Sequence, residues 1–291
     1  MNDASRSLHV GVAQFASDCG NPDVNLDRHL HWIAEGQKAN VELLVCPELS
    51  LVGHHGSEQI IADAMRRDDP RLVELAAATG EMGCVVGFIE EGPAAQYYNA
   101  TALLRDGRVR YVHRKINLAH YGLLDEGKYF SPGRTVDTAD LDEDWRMALL
   151  ICADVWNPAL TNLAFAHGAT VLVCPVNSGV EAVGVEFDNP AGWTLTMQFY
   201  STMYGAPGIM ANRVGSDKGL TFWGGSRIVD AFGRELVVAG DGEELITAVI
   251  DFDRVRRSRQ LLPTLRDSDL ALVHAETTRL LNKLRSSPEG R

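Results

Sequence analysis

Short strand patterns alternate with helical patterns along this chain, and this alternation constrains the fold more than any other feature of the sequence. Leu8 to Phe15 has the composition of a strand, and Asn25 to Ala39 carries apolar residues at helical spacing. The apolar run Glu42 to Cys46 predicts a second, buried strand. Strands and helices in alternation favour an α/β fold.

The next part of the chain predicts one helix and three strands. Asp69 and Pro70 are typical of a helix start, and that helix is expected to run to about Thr79. Strands are predicted at Cys84 to Glu90, Asn99 to Arg105 and Arg108 to Arg114. Asp106-Gly107 stands between the last two strands and indicates a tight hairpin.

The second half of the chain predicts further strands and three helices. The acidic stretch Asp137 to Asp144 is interpreted as a surface loop, and the last three strands as a meander. The absence of a repeat or linker predicts one domain over residues 1–291, with a polar tail from about residue 286. The predicted strands are Met147 to Cys152, Thr170 to Pro175, Gly208 to Arg213, Ser226 to Asp230, Glu235 to Val238 and Leu245 to Ile250, and the predicted helices are Asn157 to His167, Trp193 to Tyr204 and about Ser268 to Leu284.

Charge and composition exclude several classes of function. Lys and Arg total 27 against 39 Asp and Glu, so the formal net charge is −12, which argues against binding to nucleic acid or to an anionic membrane surface. No apolar run approaches the roughly 18 residues of a membrane span, and the first ten residues do not resemble a secretory signal. The five cysteines contain no CxxC pair, which predicts free thiols and no cysteine zinc site. We therefore expect a cytoplasmic protein.

Three apolar strands are each followed by a residue that could perform catalysis. Glu48 follows the strand that ends at Cys46, Lys115 follows Arg114, and Cys152 ends the strand that begins at Met147. Strand ends converge at the edge of a sheet, so side chains from distant positions can meet there. A thiol at a strand-to-helix turn also lies near the positive end of the helix, which favours the thiolate.

Each of these residues has a simpler interpretation when taken alone. Glu48 and Lys115 would be solvated charges, and Cys152 would be a small core residue. A Cys–His hydrolase is a rival, because His113 and His120 flank Lys115, although His113 is more typical of a structural residue. A metal site is not expected, because no HExxH or equivalent motif occurs. A catalytically silent interaction protein is the non-enzyme alternative.

The neighbours of these residues give the sequence a resemblance to the nitrilase superfamily of carbon–nitrogen hydrolases. The matching segments are CPEL around Glu48, HRKINL around Lys115 and LLICADVW around Cys152. A fourth segment, DEGKYFSPG, places a further family glutamate at Glu126. The resemblance implies a Glu–Lys–Cys triad, a four-layer αββα sandwich with mixed sheets, no cofactor and no metal. It also implies a homodimer or a higher homo-oligomer.

The resemblance also implies a mechanism and a set of neighbouring residues. Glu48 would act as the base toward the Cys152 thiol, which attacks a carbonyl and forms a thioester. Lys115 and the backbone N–H of Ala153 would stabilise the oxyanion. Three more side chains are candidates for substrate contact because of their places near the strand ends, namely Tyr121, Trp156 and Asn177.

Within the superfamily, two segments are most similar to the glutaminase domain of glutamine-dependent NAD synthetases. These segments are HYGLLDEGKYFSPG and ICADVW, and no SGGxDS nucleotide loop accompanies them. We therefore expect a stand-alone amidase that cleaves a small primary carboxamide. The alternatives are a nitrilase and an N-carbamoyl amine or amino-acid hydrolase, for which Arg213 is the candidate carboxylate ligand. Ala153 and Ala159 depart from residues usual in the family, so no single subfamily defines the substrate.

Overall fold

Two six-stranded mixed sheets form the centre of the computed structural model, which describes residues 6–53, 59–184, 186–217 and 219–286. The first sheet has the strand order β14-β1-β2-β3-β4-β5, and the second has the order β13-β12-β9-β8-β7-β6. A separate hairpin consists of β10 and β11. The strands of the protein are β1 Ser7–Gln14, β2 Leu43–Val45, β3 Gly83–Glu91, β4 Tyr97–Arg105, β5 Arg108–Arg114, β6 Thr138–Asp140, β7 Arg146–Leu149, β8 Val171–Pro175, β9 Gly208–Ala211, β10 Val214–Asp217, β11 Leu220–Trp223, β12 Arg227–Val229, β13 Glu235–Val238 and β14 Glu244–Asp251.

Helices cover the outer faces of both sheets. The longer helices begin where proline or a capping side chain favours a start: Asp69 caps α3 by accepting the N–H of Arg71, and Asn157 caps α4 by accepting that of Ala159. None of the helices in the described part of the chain has the length and hydrophobicity of a membrane span. The helices are α1 Pro22–Lys38, α2 Ile60–Asp63, α3 Pro70–Thr79, α4 Pro158–Ala166, α5 Asn189–Tyr204, α6 Phe252–Leu261 and α7 Leu270–Ser286.

The hydrophobic core has three layers, and these layers produce the αββα order that the resemblance implied. Between the sheets, side chains such as Val12 and Val45 pack with Val173 and Ile209. Outside the first sheet, β2 and β3 pack against α1 and α3, and outside the second sheet β8 and β9 pack against α4 and α5. Strands buried on both faces explain the continuous apolar runs of the sequence.

The sheet topology brings the ends of several strands to one place. β1, β2 and β3 are mutually parallel, and β5 runs in the same direction because both β3–β4 and β4–β5 are antiparallel. In the second sheet β7, β8 and β9 are parallel. The N–H of Glu48, just beyond β2, donates to the carbonyl of Val176, just beyond β8, over 3.3 Å. This bond joins the two sheets at the edge that carries the candidate site.

The structure corrects several sequence predictions. The predicted loop Asp137 to Asp144 contains the short strand β6, which pairs with β7. The predicted meander is wrong for its third strand, because β14 leaves β13 and pairs with the free edge of β1 over Ser7 to Gln14. Helix α5 begins at Asn189 rather than at Trp193, because Asp188 caps it and accepts the N–H of Ala191. The hairpin β10–β11 and the helix α6 were not predicted.

Candidate active site

The ammonium group of Lys115 lies between two buried carboxylates. Its Nζ donates to Glu48 Oε1 over 2.7 Å and to Glu126 Oε1 over 2.9 Å, and it lies 2.8 Å from Glu126 Oε2. Burial alone would lower the pKa of Lys115, but the charges of Glu126 and Glu48 outweigh it and hold that pKa well above its ordinary value. Lys115 is therefore a permanent cation at this site.

Both oxygens of the Glu48 carboxylate accept hydrogen bonds. Oε1 accepts from Lys115 and from Asn99 Nδ2, the latter over 2.7 Å, and Oε2 accepts the backbone N–H of Asn177 over 2.9 Å. Burial raises the pKa of Glu48 above its ordinary value, and the nearby charge of Glu126 adds to that rise. Lys115 and Asn99 oppose it. A carboxylate with a raised pKa that still ionises is suited to accept a proton.

Glu126 lies in a single 3-10 turn, Glu126–Lys128, at the end of a long loop. Besides its bonds to Lys115, it accepts Asn99 Nδ2 over 3.0 Å and the backbone N–H of Ala119 over 2.6 Å. The structure thus brings the predicted residues Glu48, Lys115 and Glu126 into one hydrogen-bonded group. Asn99 belongs to the same group, and sequence analysis missed it.

Cys152 opens a 3-10 turn over Cys152–Asp154, beyond Leu149, where β7 ends, so the predicted strand Met147 to Cys152 stops before the cysteine. Its φ of +45° lies in the left-handed region that a non-glycine residue rarely adopts, and such strain is concentrated at functional sites. Burial, followed by the negative charge of Glu48, raises the pKa of Cys152 well above its ordinary value. The prediction that a helix end favours the thiolate is therefore wrong, because α4 begins only at Pro158 and desolvation dominates.

Asp154 fixes this turn to the strand that carries Lys115. Its Oδ1 accepts the N–H groups of Ile116 and Asn117 over 2.9 and 2.7 Å. Its Oδ2 accepts His113 Nε2 over 2.9 Å and the N–H of Ile151 over 3.1 Å. Sequence analysis missed Asp154, although an acidic residue within the buried run MALLICADV was an available signal.

Asn177 is buried, and neither its Oδ1 nor its Nδ2 has a hydrogen-bond partner among the residues that the structure describes. Its backbone already contacts Glu48, so this amide lies beside the carboxylate group. A buried amide without partners is costly unless something else satisfies it. Ala153 is fully buried within the Cys152 turn, and its carbonyl accepts Asn117 Nδ2 over 3.1 Å.

The two aromatic candidates have different surroundings. Burial, followed by the charge of Cys152, raises the pKa of Tyr121, and Lys115 and Glu126 also act on it, so this phenol lies beside the site. Trp156 packs against Trp193, with ring centroids 4.6 Å apart. The structure thus places Trp156 in an aromatic cluster of α5 and does not bring it into the hydrogen-bonded group.

The remaining predicted candidates lie elsewhere. His113 binds Asp154, and His120 lies 3.0 Å from Asp125, so neither of the two histidines named for the Cys–His alternative is seen bonded to Cys152. Arg213 donates to the carbonyl of Ser17 over 3.2 Å and is not part of the hydrogen-bonded group of Lys115. Within the described ranges, no group of three His, Cys, Asp or Glu side chains is arranged to hold a metal ion.

Comparisons with known families, proteins and structures relate this chain to carbon–nitrogen hydrolases. The sequence profile described as "Carbon-nitrogen hydrolase" matches residues 9–260. The chain is 30% identical over 259 residues to a glutamine-dependent NAD(+) synthetase of Thermotoga maritima, covering 85% of this chain and 43% of that protein. It therefore spans less than half the length of that relative.

Two further comparisons cover nearly whole chains. An (R)-stereoselective amidase of a Pseudomonas species is 29% identical over 279 residues, with 93% of this chain and 94% of the amidase covered. A carbon-nitrogen hydrolase from Helicobacter pylori G27 superposes with a TM-score of 0.82 at 25% identity, covering 91% of this chain and 96% of that one. Profile, relatives and fold together show that this chain belongs to the carbon–nitrogen hydrolase family.

Proposed function

We propose that this enzyme hydrolyses the C–N bond of a small primary carboxamide to a carboxylate and ammonia, through a thioester on Cys152. The observation that carries the proposal is the Lys115 ammonium, held between Glu48 and Glu126 and acting electrostatically on the buried Cys152 thiol. A buried nucleophile, a base and a permanent cation are the groups that acyl transfer requires.

The mechanism begins from a neutral thiol. Glu48 takes the proton of Cys152 as sulfur bonds to the carbonyl carbon, and the carbonyl oxygen becomes an oxyanion. Lys115 and the N–H of Ala153 stabilise that oxyanion, and one such donor typically contributes about 2.7–4 kcal/mol. Cleavage of the C–N bond then transfers the proton from Glu48 to the departing nitrogen, which leaves as ammonia.

The thioester is removed by the same groups. Glu48, again a carboxylate, takes a proton from water as the hydroxyl oxygen bonds to the acyl carbon. The C–S bond breaks, the sulfur recovers the proton and the carboxylic acid departs. Tyr121 and the side-chain amide of Asn177 are the groups that we assign to substrate contact, because both residues adjoin the carboxylate group.

A carboxamide is favoured over an N-carbamoyl amino acid by the surroundings of Arg213. This arginine is the cation that the sequence offered for a substrate carboxylate, and it is 3% exposed and lies over the ring of Phe222 at 4.4 Å. Its contacts are with Ser17, Cys19 and Phe222, away from the Lys115 group. These contacts support a structural role for Arg213.

Ammonia and carbon dioxide release from primary amides, ureido acids and nitriles tests the proposal. We expect ammonia from primary amides with no carbon dioxide, and no release by Cys152→Ala. Cys84→Ala is the matched control, because it removes a buried thiol on β3 and should retain activity. Equal carbon dioxide and ammonia from N-carbamoyl compounds alone would contradict the carboxamide assignment, and turnover by Cys152→Ala would contradict the thioester.

We further propose that the partner of this chain is a second copy of itself. Helix α7 has no buried residue, and Val273, Leu280, Leu281 and Leu284 form one exposed apolar stripe on it. An apolar stripe of this kind is typical of a helix that another chain covers. Leu280→Glu should shift the mass in light scattering toward that of one chain, whereas Asn282→Glu, on the opposite side, should not.

A further inference from the structure

Asn99 is a buried amide that bonds to both of the carboxylates beside Lys115. It lies on β4 with no exposed surface, and its Nδ2 donates to Glu48 Oε1 over 2.7 Å and to Glu126 Oε1 over 3.0 Å. The backbone carbonyl of Asn99 also accepts the backbone N–H of Lys115 over 2.8 Å. Asn99 thus donates to both carboxylates and also holds the backbone of Lys115.

The orientation of this amide follows from the two carboxylates. Asn99 Oδ1 is buried and has no hydrogen-bond partner within the described part of the chain. Rotating the amide by half a turn would direct that oxygen at two carboxylates, and both would lose a donor. The two charge-assisted bonds therefore hold the amide in place, although one acceptor stays unsatisfied.

The charges around Glu48 show what these bonds accomplish. Lys115 supplies one positive charge beside Glu48, and Glu126 supplies a second negative charge. Besides burial, the charge of Glu48 in turn raises the pKa values of three neighbouring groups, namely Cys152, Cys174 and Tyr121. The single ammonium group of Lys115 thus compensates the charges of two carboxylates. The remaining stabilisation of Glu48 comes from neutral donors, namely Asn99 and the backbone N–H of Asn177.

We propose that Asn99 is a positioning residue that holds Glu48 and Glu126 at a fixed spacing and keeps Glu48 ionised, so that Glu48 can take the proton of Cys152. The inference rests on the proposed function only in naming Glu48 as the base. Asn99 acts through that carboxylate and does not bond the substrate.

Asn99→Leu removes both donors and replaces the amide with an apolar group of the same branching. We expect kcat to fall on the order of 50-fold, because general base catalysis typically contributes 10²–10⁴-fold. KM should change less than about threefold, and the acidic limb of the rate profile should move up by about one pH unit. Asn99→Ser avoids a larger apolar group and should move the limb in the same direction.

Thr101→Val is the matched control. Thr101 lies two residues further along β4, so it is on the same face of the strand, and it is equally buried. Its hydroxyl has no hydrogen-bond partner among the described residues. We expect this variant to keep the wild-type pH profile.

Alkylation of Cys152 by iodoacetamide tests the positioning role of Asn99 in the absence of a substrate. The sulfur–carbon bond forms, the carbon–iodine bond breaks, iodide leaves, and Glu48 takes the thiol proton. Mass spectrometry of the Cys152 peptide separates this reaction from that of the partly exposed Cys19. In Asn99→Leu the rate should fall toward that of Glu48→Gln, with its acidic limb shifted upward.

The pH profile of amide hydrolysis and the alkylation rate together distinguish a failure of the Asn99 proposal from a failure of the substrate proposal. An unchanged limb and unchanged alkylation in both Asn99 variants would overturn the inference, as would an equal effect of Thr101→Val. If the wild-type enzyme cleaved no amide yet its alkylation still depended on Asn99, the substrate proposal would fail and the positioning role would stand.

Discussion

His113 Nε2 contacts Asp154 Oδ2 over 2.9 Å in the interior of the protein, where both side chains are almost completely buried. His113 lies two residues before Lys115, and Asp154 lies two residues after Cys152. The bond therefore ties the strand of the cation to the turn of the nucleophile. Because Asp154 also accepts three backbone N–H groups, it determines how far apart the two catalytic segments lie.

Asp154→Asn should weaken both activity and stability. An asparagine presents two N–H donors where the carboxylate accepted four hydrogen bonds, so at least one buried donor loses its partner. We expect a loss of about 1–3 kcal/mol in the free energy of unfolding and roughly a tenfold or larger fall in kcat. Denaturant unfolding and ammonia release measure these. Asp142→Asn is the control, since Asp142 also accepts two backbone N–H groups but lies in an exposed loop. Unchanged kcat in Asp154→Asn would show that the segments do not depend on this carboxylate.

Glu126→Gln should lower kcat by about 100-fold or more while the fold survives. The amide is nearly isosteric, but its single oxygen cannot accept from Lys115, Asn99 and the N–H of Ala119 together. The steady-state rate at saturating substrate is the measurement, with circular dichroism to check folding. Glu74→Gln on the exposed side of α3 is the control. Wild-type kcat in Glu126→Gln would remove Glu126 from the site.

The pH dependence of kcat/KM should have an acidic limb above the ordinary glutamate pKa of 4.5. Burial and Glu126 raise the pKa of Glu48, and as the pH falls through that value the base becomes protonated and activity is lost. The pKa values of Lys115 and Cys152 are both raised well above their ordinary values, so no alkaline limb should appear near neutral pH. A rate profile over about pH 4–10 checks both statements. A descending limb between about pH 7 and 8 would contradict the assignment of a neutral thiol as the resting nucleophile.

Gly87→Ala should disturb Glu48 through its backbone. A methyl group at Gly87 would clash with the backbone nitrogen of Leu49 and would lie 2.9 Å from the carbonyl carbon of Glu48. Leu49 itself has a φ of +52°, so this loop has little freedom to adjust. We expect about 1–3 kcal/mol of destabilisation and a fall in kcat of at least about tenfold.

Gly83→Ala on the same strand is the control for that variant. Its added methyl group would meet the flexible side chain of Leu43 at 3.1 Å rather than backbone, so the effect on kcat should be small. Thermal unfolding and ammonia release of both variants decide the matter. Equal losses of activity in the two variants would mean that the strand, and not the Glu48 loop, is responsible.

Much of this arrangement could be predicted from local patterns. The strands that precede Glu48, Lys115 and Cys152 are visible as apolar runs, because a strand buried on both faces selects apolar residues continuously. The hairpin at Asp106-Gly107 is also correctly predicted, because both residues adopt the positive φ that such a turn requires. Glu126 was found through its neighbours in the sequence rather than through a structural pattern.

Only the tertiary structure decided which of these residues are in contact and which of their side chains are ionised. Asn99 reads as an ordinary strand residue, and its two carboxylate partners are 51 and 27 positions away. The partner strand of β14 and the ionisation of Cys152 were mispredicted for the same reason. Local sequence encodes burial and backbone preference, whereas sheet order sets the long-range distances on which desolvation and charge interactions depend.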